Sequence, residues 1–344
     1  VRILHVSDCY LPRLGGIEVQ VDELAAVQRS AGHDVRVVTA TPGPPRDGLV
    51  RVGPRVPWAL PVGGPLHAVL RDFAPDVLHV HAGVVSPFAW RALATCRGVP
   101  SVVTVHSLWG GPVGALYRRL IGGGTTVSTV SEAAARPIRR ALDVPVHVVP
   151  NGIDTAPWKE IRPWLPTGAV LVAAVGRLAP RKEPFTLLRI LRDAGRRVPI
   201  RAVVVGDGPA APAMRRYLRR HRMEGWVRMT GRLERAEVRE VLASADVFVA
   251  PARRESFGLA ALEARLAGLP VVAHEGSGVA DFVRPEKEGL LGSCAADLAD
   301  ALVRLVGDAE LRHAIAAHNG ATEPAQCTWP SVLTAFEELY EISR

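Results

Sequence analysis

Lysine is nearly missing from this chain: of 42 basic residues, 39 are Arg and three are Lys, at Lys159, Lys182 and Lys287. With heavy use of Ala, Gly, Val and Pro, that skew reads as a high-GC bacterial coding bias. The net charge of +8 then describes a solvated surface, and nucleic acid is not expected as a partner. Cysteine is sparse too. Cys9, Cys96, Cys294 and Cys327 form no C-x-x-C pair, which excludes a disulfide framework and the usual zinc spacings and fits a reducing cytoplasm. No apolar run approaches the ~18 residues a membrane span needs, and the chain starts on an apolar strand, Val1 to Val6, with no signal-peptide pattern before it. The expectation is a cytoplasmic protein whose membrane contact, if any, is peripheral at the inner face. A third glycine is missing after Gly206-Asp-Gly208, so the dinucleotide fingerprint of a dehydrogenase is incomplete.

What the chain has is alternation. Its 344 residues suit two domains, and short β-branched runs alternate with helical patterns in both halves, the mark of parallel sheets wrapped by helices. The first half predicts strands over 2–6, 34–39, 76–80, 100–104, 126–130 and 145–149, with a helix over 16–31 closed by Gly32. Helix breakers from Pro157-Trp158 to Pro163-Trp164-Leu165-Pro166 read as an interdomain linker. Strands then resume near 169–175, 201–206, 226–230, 246–250 and 270–273, with helices near 183–195, 211–222, 235–243 and 258–268. A last helix, 331–343, carries the apolar stripe Val332, Leu333, Phe336, Leu339 and Tyr340, which needs a partner surface. The domains are expected at 1–156 and 157–326, followed by a crossover helix in 327–344.

Two segments carry the chemistry. Gly176-Arg177-Leu178-Ala179-Pro180-Arg181-Lys182 follows a continuous apolar strand, where ligands of open α/β sheets sit, and its cations suit a diphosphate. Lys182 stands out in a chain that writes nearly every cation as Arg; a compact point charge is wanted there. The second segment, Glu255-Ser256-Phe257-Gly258-Leu259, leads into a helix holding Glu263. Eight helical steps span about 12 Å, comparable with the ribose-to-sugar distance of a nucleotide sugar, and the amides of Ser256, Phe257, Gly258 and Leu259 lie at a helix N-terminus that favours phosphate. Gly15-Gly16, after the first strand, permits close backbone approach to a phosphate or sugar. His79-Val80-His81 and Thr104-Val105-His106 end two strands, so three imidazoles converge near one strand end. Zinc is not expected there, because no fourth ligand and no H-E-x-x-H helix accompany them. Arg215, Arg216, Arg219, Arg220 and Arg222 make a basic helix face. Leu108-Trp109 with Tyr117-Arg118-Arg119 either meets lipid or packs on its own core.

Taken in order, Gly15-Gly16-Ile17-Glu18, Asp76-Val77-Leu78-His79-Val80-His81, Thr104-Val105-His106, Pro150-Asn151-Gly152-Ile153-Asp154, Gly176-Arg177-Leu178, Thr230-Gly231-Arg232 and the E-x7-E element from Glu255 to Glu263 resemble the retaining glycosyltransferases of family 4 over nearly the whole chain. The resemblance implies the α/β GT-B fold: two Rossmann-like domains facing across a cleft, with a C-terminal helix crossing back to the first. It implies that Arg177 and Lys182 bind the donor diphosphate, Glu263 the ribose and Glu255 the transferred sugar. Backbone around Arg232 would meet the base, and Gly16 and His106 the diphosphate and sugar. His106, Arg177, Lys182 and Glu255 are therefore the expected catalytic residues, and Gly15, Gly16, Gly176, Arg232, Ser256, Phe257, Gly258, Leu259 and Glu263 the donor-binding ones. No metal or other cofactor is expected, since two cations replace the divalent ion; retention would follow a front-face path in which the leaving phosphate helps deprotonate the acceptor.

The expected activity is hexose transfer from a UDP- or GDP-linked sugar to a hydroxyl of a small-molecule or lipid acceptor. A catalytically weak sugar-nucleotide binder and a nucleotide-sugar epimerase are the competing readings. The chain departs from the family pattern at Glu183, where Gly is usual and a negative charge follows Lys182, and at Ser277 and Asp281 in the later loop.

Overall fold

The computed structural model describes residues 1–344 apart from Leu14, 53–63, Arg97, 109–110, 122–123 and 160–167. The chain forms two compact units. Unit 1 comprises Val1–Ile153 with Ala325–Arg344, and unit 2 comprises Asp154–Pro324.

Unit 1 runs β1 (Arg2–Ser7), α1 (Gly16–Ser30), β2 (Asp34–Thr39), β3 (Leu49–Arg51), α2 (Gly64–Phe73), β4 (Val77–Ala82), α3 (Pro87–Thr95), β5 (Ser101–Val105), α4 (Gly111–Leu120), β6 (Thr125–Thr129), α5 (Glu132–Ala141) and β7 (Val146–Val148). The strands form one sheet in the order β3-β2-β1-β4-β5-β6-β7, parallel at every pairing. A parallel sheet covered on both faces buries its central strands along their whole length, as Val77–Ala82 and Ser101–Val105 are buried here, polar positions included.

Unit 2 runs α6 (Ala156–Lys159), β8 (Val170–Val175), α7 (Pro184–Gly195), β9 (Ile200–Val205), α8 (Ala211–Arg220), β10 (Val227–Gly231), α9 (Arg235–Ala243), β11 (Val247–Ala250), α10 (Leu259–Leu266), β12 (Val271–His274), β13 (Gly289–Gly292), α11 (Ala295–Gly307) and α12 (Ala309–Ala321). Its parallel sheet is ordered β10-β9-β8-β11-β12-β13. Pro157 and Trp158, read from sequence as linker, lie in α6, where Trp158 is buried and the helix packs on α10. Pro163, Trp164 and Pro166 fall outside the described residues.

The final helix, α13 (Trp329–Ser343), belongs to unit 1. Its stripe of Val332, Phe336, Leu339 and Tyr340 packs with Val21, Leu24 and Ala25 of α1 and with Ile3, Val77 and Val102 of the sheet. Burial of each large apolar side chain is worth about 1.5–3 kcal/mol, so this stripe is what returns the chain end to the first unit. Leu333 lies off it, only partly buried. Tyr117 is fully buried beside Trp90, with ring centroids 6.0 Å apart, and so belongs to the core; Trp109 falls outside the described residues. Arg215, Arg216, Arg219 and Arg220 on α8, with Arg222 just after it, are all exposed. Among the described residues no helix is long and apolar enough to cross a membrane.

Candidate active site

In an open parallel sheet the ligand crevice lies beyond the carboxyl ends of the strands, where the strand order reverses. In unit 2 the chain proceeds outward from β8 through β9 to β10, then returns to β11 on the other side of β8. The reversal therefore falls between β8 and β11. The loops leaving those two strands are Gly176–Glu183 and Pro251–Gly258, the two segments singled out from sequence. Lys182, in a 3-10 turn over Pro180–Lys182, donates from Nζ to Glu255 Oε2 across the two loops. The side chains keep 31% and 15% of their surface exposed, so the pair is reachable. Arg177, on the same loop as Lys182, is exposed. Glu263, on α10, has Arg235 Nη2 at 3.9 Å from Oε1. Arg232 is exposed just past β10. Phe257 turns its ring into the core, 5.3 Å from Phe282. Gly258 is the N-cap of α10, and Leu259 opens that helix.

Two glycines hold this edge in shape. Gly206 has φ +131°, and a Cβ there would stand 1.9 Å from the Gly176 carbonyl oxygen. The Gly206-Asp207-Gly208 turn also accepts Leu178 N–H at Asp207 O, 2.9 Å away. What looked like a broken dinucleotide fingerprint is a brace under the cationic loop. Gly258 has φ +98° and lies where a Cβ would meet Val279 at 2.6 Å. Gly278 N–H donates to Glu255 O at 2.9 Å, tying the Glu255 loop to the later loop. There Ser277 is buried and donates to His274 O at 2.6 Å, and Asp281 ends a 3-10 turn over Gly278–Asp281.

Glu183 takes the left-handed conformation, φ +52°, a region that favours glycine. Its carboxylate turns to the neighbouring loop: Oε1 accepts Arg253 N–H at 3.0 Å and Oε2 accepts the Thr186 hydroxyl at 3.2 Å. The departure from the family pattern is thus a strap between the two site loops.

Behind α10 lies a buried ionic cluster. Glu288 is 0% exposed and meets Arg265 of α10 at 3.4 Å, Arg284, and His318 of α12 at 3.1 Å. Burial pushes its carboxyl up. Hydrogen bonds from the Arg284 side chain and backbone and from His318, with the charge of Arg265, outweigh that and hold it at about 2. Through Arg265 the cluster ties the helix that carries Glu263 to Arg284 and to His318 of α12.

In unit 1 the order reverses between β1 and β4. Gly15 is the N-cap of α1 and Gly16 its first residue, on the segment that follows β1. His106 follows β5 and is half-buried. The three imidazoles expected to converge do so, joined by a fourth that sequence reasoning missed. Parallel register sets His5 beside His79 and His81 beside Thr104, all on the face covered by α1 and α13. His5 Nε2 meets Gln28 Oε1 at 2.6 Å, His5 Nδ1 meets His81 Nε2 at 2.9 Å, and His81 Nδ1 meets His106 Nε2 at 3.0 Å. Gln28 Nε2 donates to the Tyr340 hydroxyl at 2.8 Å, which reaches His79 Nδ1 at 2.8 Å. Burial lowers His5 and His106 to about 4 and His79 and His81 well below the ordinary value. The rings are neutral. Nitrogens of His5, His79 and His81 lie within 4.8 Å of one another, a grouping with metal-ligand chemistry. Yet both nitrogens of each of these rings already have hydrogen-bond partners, His79 Nε2 meeting Thr104 Oγ1 at 2.7 Å.

Residues 14–157 match Glycosyltransferase Family 4, and residues 159–320 match Glycosyl transferases group 1. A glycogen synthase of Mycobacterium tuberculosis is 30% identical over 99% of this chain and 94% of its own. This chain belongs to glycosyltransferase family 4. As a member it is a retaining glycosyltransferase that uses a nucleotide sugar, in a family that generally does so without a required metal. A GDP-mannose-dependent alpha-mannosyltransferase of M. tuberculosis is 29% identical to this glycosyltransferase over 100% of the present chain and 97% of its own. In fold the enzyme is similar to sucrose-phosphate synthase from Thermosynechococcus elongatus, with a TM-score of 0.82 at 19% identity over 99% and 98% of the two chains. It is also similar to Anabaena HepE, solved in complex with UDP, with a TM-score of 0.78 at 18% identity over 99% and 100%. The architecture is GT-B.

Proposed function

We propose that this enzyme transfers a hexose from a GDP- or UDP-linked sugar to a hydroxyl of a small-molecule or lipid acceptor, without a metal ion. The observation that carries the reading is the Lys182–Glu255 pair spanning the two loops at the strand-order reversal of unit 2. In that reading Lys182 and Arg177 neutralise the diphosphate as it leaves, with the amides of Ser256 to Leu259 at the N-terminus of α10 as further donors. Gly176 lets the cationic loop approach the phosphates, Glu263 holds the ribose hydroxyls, Arg232 marks the base, and Glu255 holds the sugar. Gly15, Gly16 and His106 keep the donor-contact roles that family membership suggests. Until a donor arrives, Lys182 and Glu255 compensate each other's charge; the donor must take Lys182 onto phosphate and leave Glu255 to a sugar hydroxyl. The relatives' use of GDP-mannose and the HepE complex with UDP support those two bases.

A thermal-shift screen with UDP, GDP, ADP and their sugars fixes the donor first. Binding at about 100 times Kd adds roughly 2.7 kcal/mol of stability, so the true base should stand clear of the others. With that donor and a hydroxyl acceptor panel, Lys182→Ala and Glu255→Ala should each lower kcat by about 10²–10³, the cost of one lost preorganised electrostatic contact. Donor incubated alone should give no isomerised sugar by NMR. Parental turnover in both variants sinks the assignment of roles; turnover of ADP-sugars alone sinks the choice of base.

A further inference from the structure

The buried histidines of unit 1 have a property beyond structural satisfaction: their hydrogen bonds have one sense. Each neutral imidazole has one N–H and one lone pair, so a partner on one nitrogen decides the role of the other. Gln28 gives its N–H to Tyr340, leaving its oxygen to accept from His5 Nε2. His5 Nδ1 is then an acceptor, filled by His81 Nε2–H. His81 Nδ1 is in turn an acceptor, filled by His106 Nε2–H. On the other branch Tyr340 gives its hydroxyl proton to His79 Nδ1, His79 Nε2–H goes to Thr104 Oγ1, and Thr104 to Ser128 Oγ at 2.7 Å. One amide, held between α1 and α13, thus orders every proton in both branches. Turning that amide over would reverse them all.

We infer that Gln28, His5 and His81 are positioning residues that fix the tautomer of His106, leaving its Nδ1 as a hydrogen-bond acceptor for a sugar hydroxyl. The inference rests on the reading of His106 as a donor contact. Three observations support a relay over simple packing. The chain is continuous from a buried amide to the one histidine of the four that is not fully buried. Burial keeps its rings neutral, and only a neutral ring has a tautomer to set. Polar side chains, all buried but the last, take up the positions along His79, His81, Thr104 and His106, where the lower part of the same sheet face carries Ile3, Val77 and Val102. A metal at His5, His79 and His81 would have to displace bonds already made.

The test uses the full chain labelled with ¹⁵N-histidine. Long-range ¹H–¹⁵N correlation should show the proton on Nε2 of His5, His79, His81 and His106, and nitrogen–nitrogen couplings should cross the His81-to-His5 and His106-to-His81 hydrogen bonds. His81→Gln keeps one acceptor and one donor in the same sense; His81→Phe cuts the chain. The expected result is a kcat close to parental in His81→Gln and at least several-fold lower in His81→Phe, with donor KM changed less than twofold in both. Should the His81 variants fold poorly, Gln28→Leu removes the anchor from the far end and should lower kcat with the same unchanged KM. Rings found with mixed proton positions, couplings absent, or stoichiometric zinc bound through His79 would each overturn the relay. So would parental kcat in His81→Phe when His106→Ala is impaired. Parental turnover in His106→Ala instead overturns the reading of His106 as a donor contact, and the couplings then judge the proton order by themselves.

Discussion

The two polar clusters described above, one in each unit, are built in opposite ways. Unit 1 links three buried imidazoles, an amide and three hydroxyls to a half-buried fourth imidazole in a chain that carries no formal charge, while unit 2 hides a carboxylate among guanidiniums. Neutral rings suit a long chain because each both donates and accepts, so desolvation is offset link by link. A charged cluster is compact instead, since each ion needs its opposite at close range. The difference matches what each unit is asked to hold. In unit 1 the chain ends on His106, whose value lies in a defined proton position. In unit 2 the cluster stiffens α10 behind Glu263, while the pair at the front, Lys182 with Glu255, stays partly exposed and free to exchange partners.

Acid should separate the two interiors by the largest margin. The folded value of His5 is about 4 against an ordinary 6.5, so as pH falls the unfolded chain takes the proton first. The stability conferred by a neutral buried ring is complete above about pH 6.5 and lost as pH drops towards 4, at roughly 1.4 kcal/mol per pH unit for each ring. Glu288 is depressed to about 2 from 4.5, so its contribution is intact above pH 4.5 and lost only as pH falls from there towards 2. Hydrogen exchange followed from pH 7 to 4 should show β1, β4 and β5 loosening while α10 and β12 stay protected. Loosening of α10 first would reverse the comparison.

Single substitutions should show the same asymmetry at smaller scale. Glu288→Ala leaves Arg265 buried without its carboxylate and should cost unit 2 about 3–5 kcal/mol. His79→Phe leaves the Tyr340 and Thr104 hydroxyls each short of one partner in unit 1 and should cost about 1–3 kcal/mol. Denaturant melts read by exchange within each unit measure both. Equal costs would mean that charge and neutrality make no difference to these interiors.

How much of this was legible in the sequence depended on distance along the chain. The alternation of β-branched runs with helical patterns placed most long strands within a residue or two. It passed over β3 and β13, since Leu49–Arg51 and Gly289–Gly292 are too short to show a period. The cationic loop and the Glu255–Glu263 element were visible because each is a local run at a strand end. Their partners were not, because Glu183 reaches Arg253 and Gly206 reaches Gly176 only once the strands are ordered. The relay was the least visible part. Gln28 and Tyr340 are 312 positions apart, and His5, inside an apolar strand, has no local signal to distinguish it from a core filler.

Glu183 gives the smallest effect and the finest test of how the charged edge is held. Two terms oppose each other there. A side chain at φ +52° costs on the order of 1 kcal/mol relative to glycine, and a hydrogen bond lost from a carboxylate in a part-exposed setting costs about 1 kcal/mol. Glu183→Gly removes the strain and the strap together, so its stability should stay within about 1 kcal/mol of parental. Glu183→Ala removes the strap and keeps the strain, and should be the less stable of the two by roughly 1 kcal/mol. Activity should not follow stability. Both variants free Arg253 N–H and slacken the loop that presents Glu255, so both should raise donor KM by the same few-fold factor. If Glu183→Gly instead binds donor more tightly than the parent, the carboxylate acts on the diphosphate through its charge, and the strap is incidental.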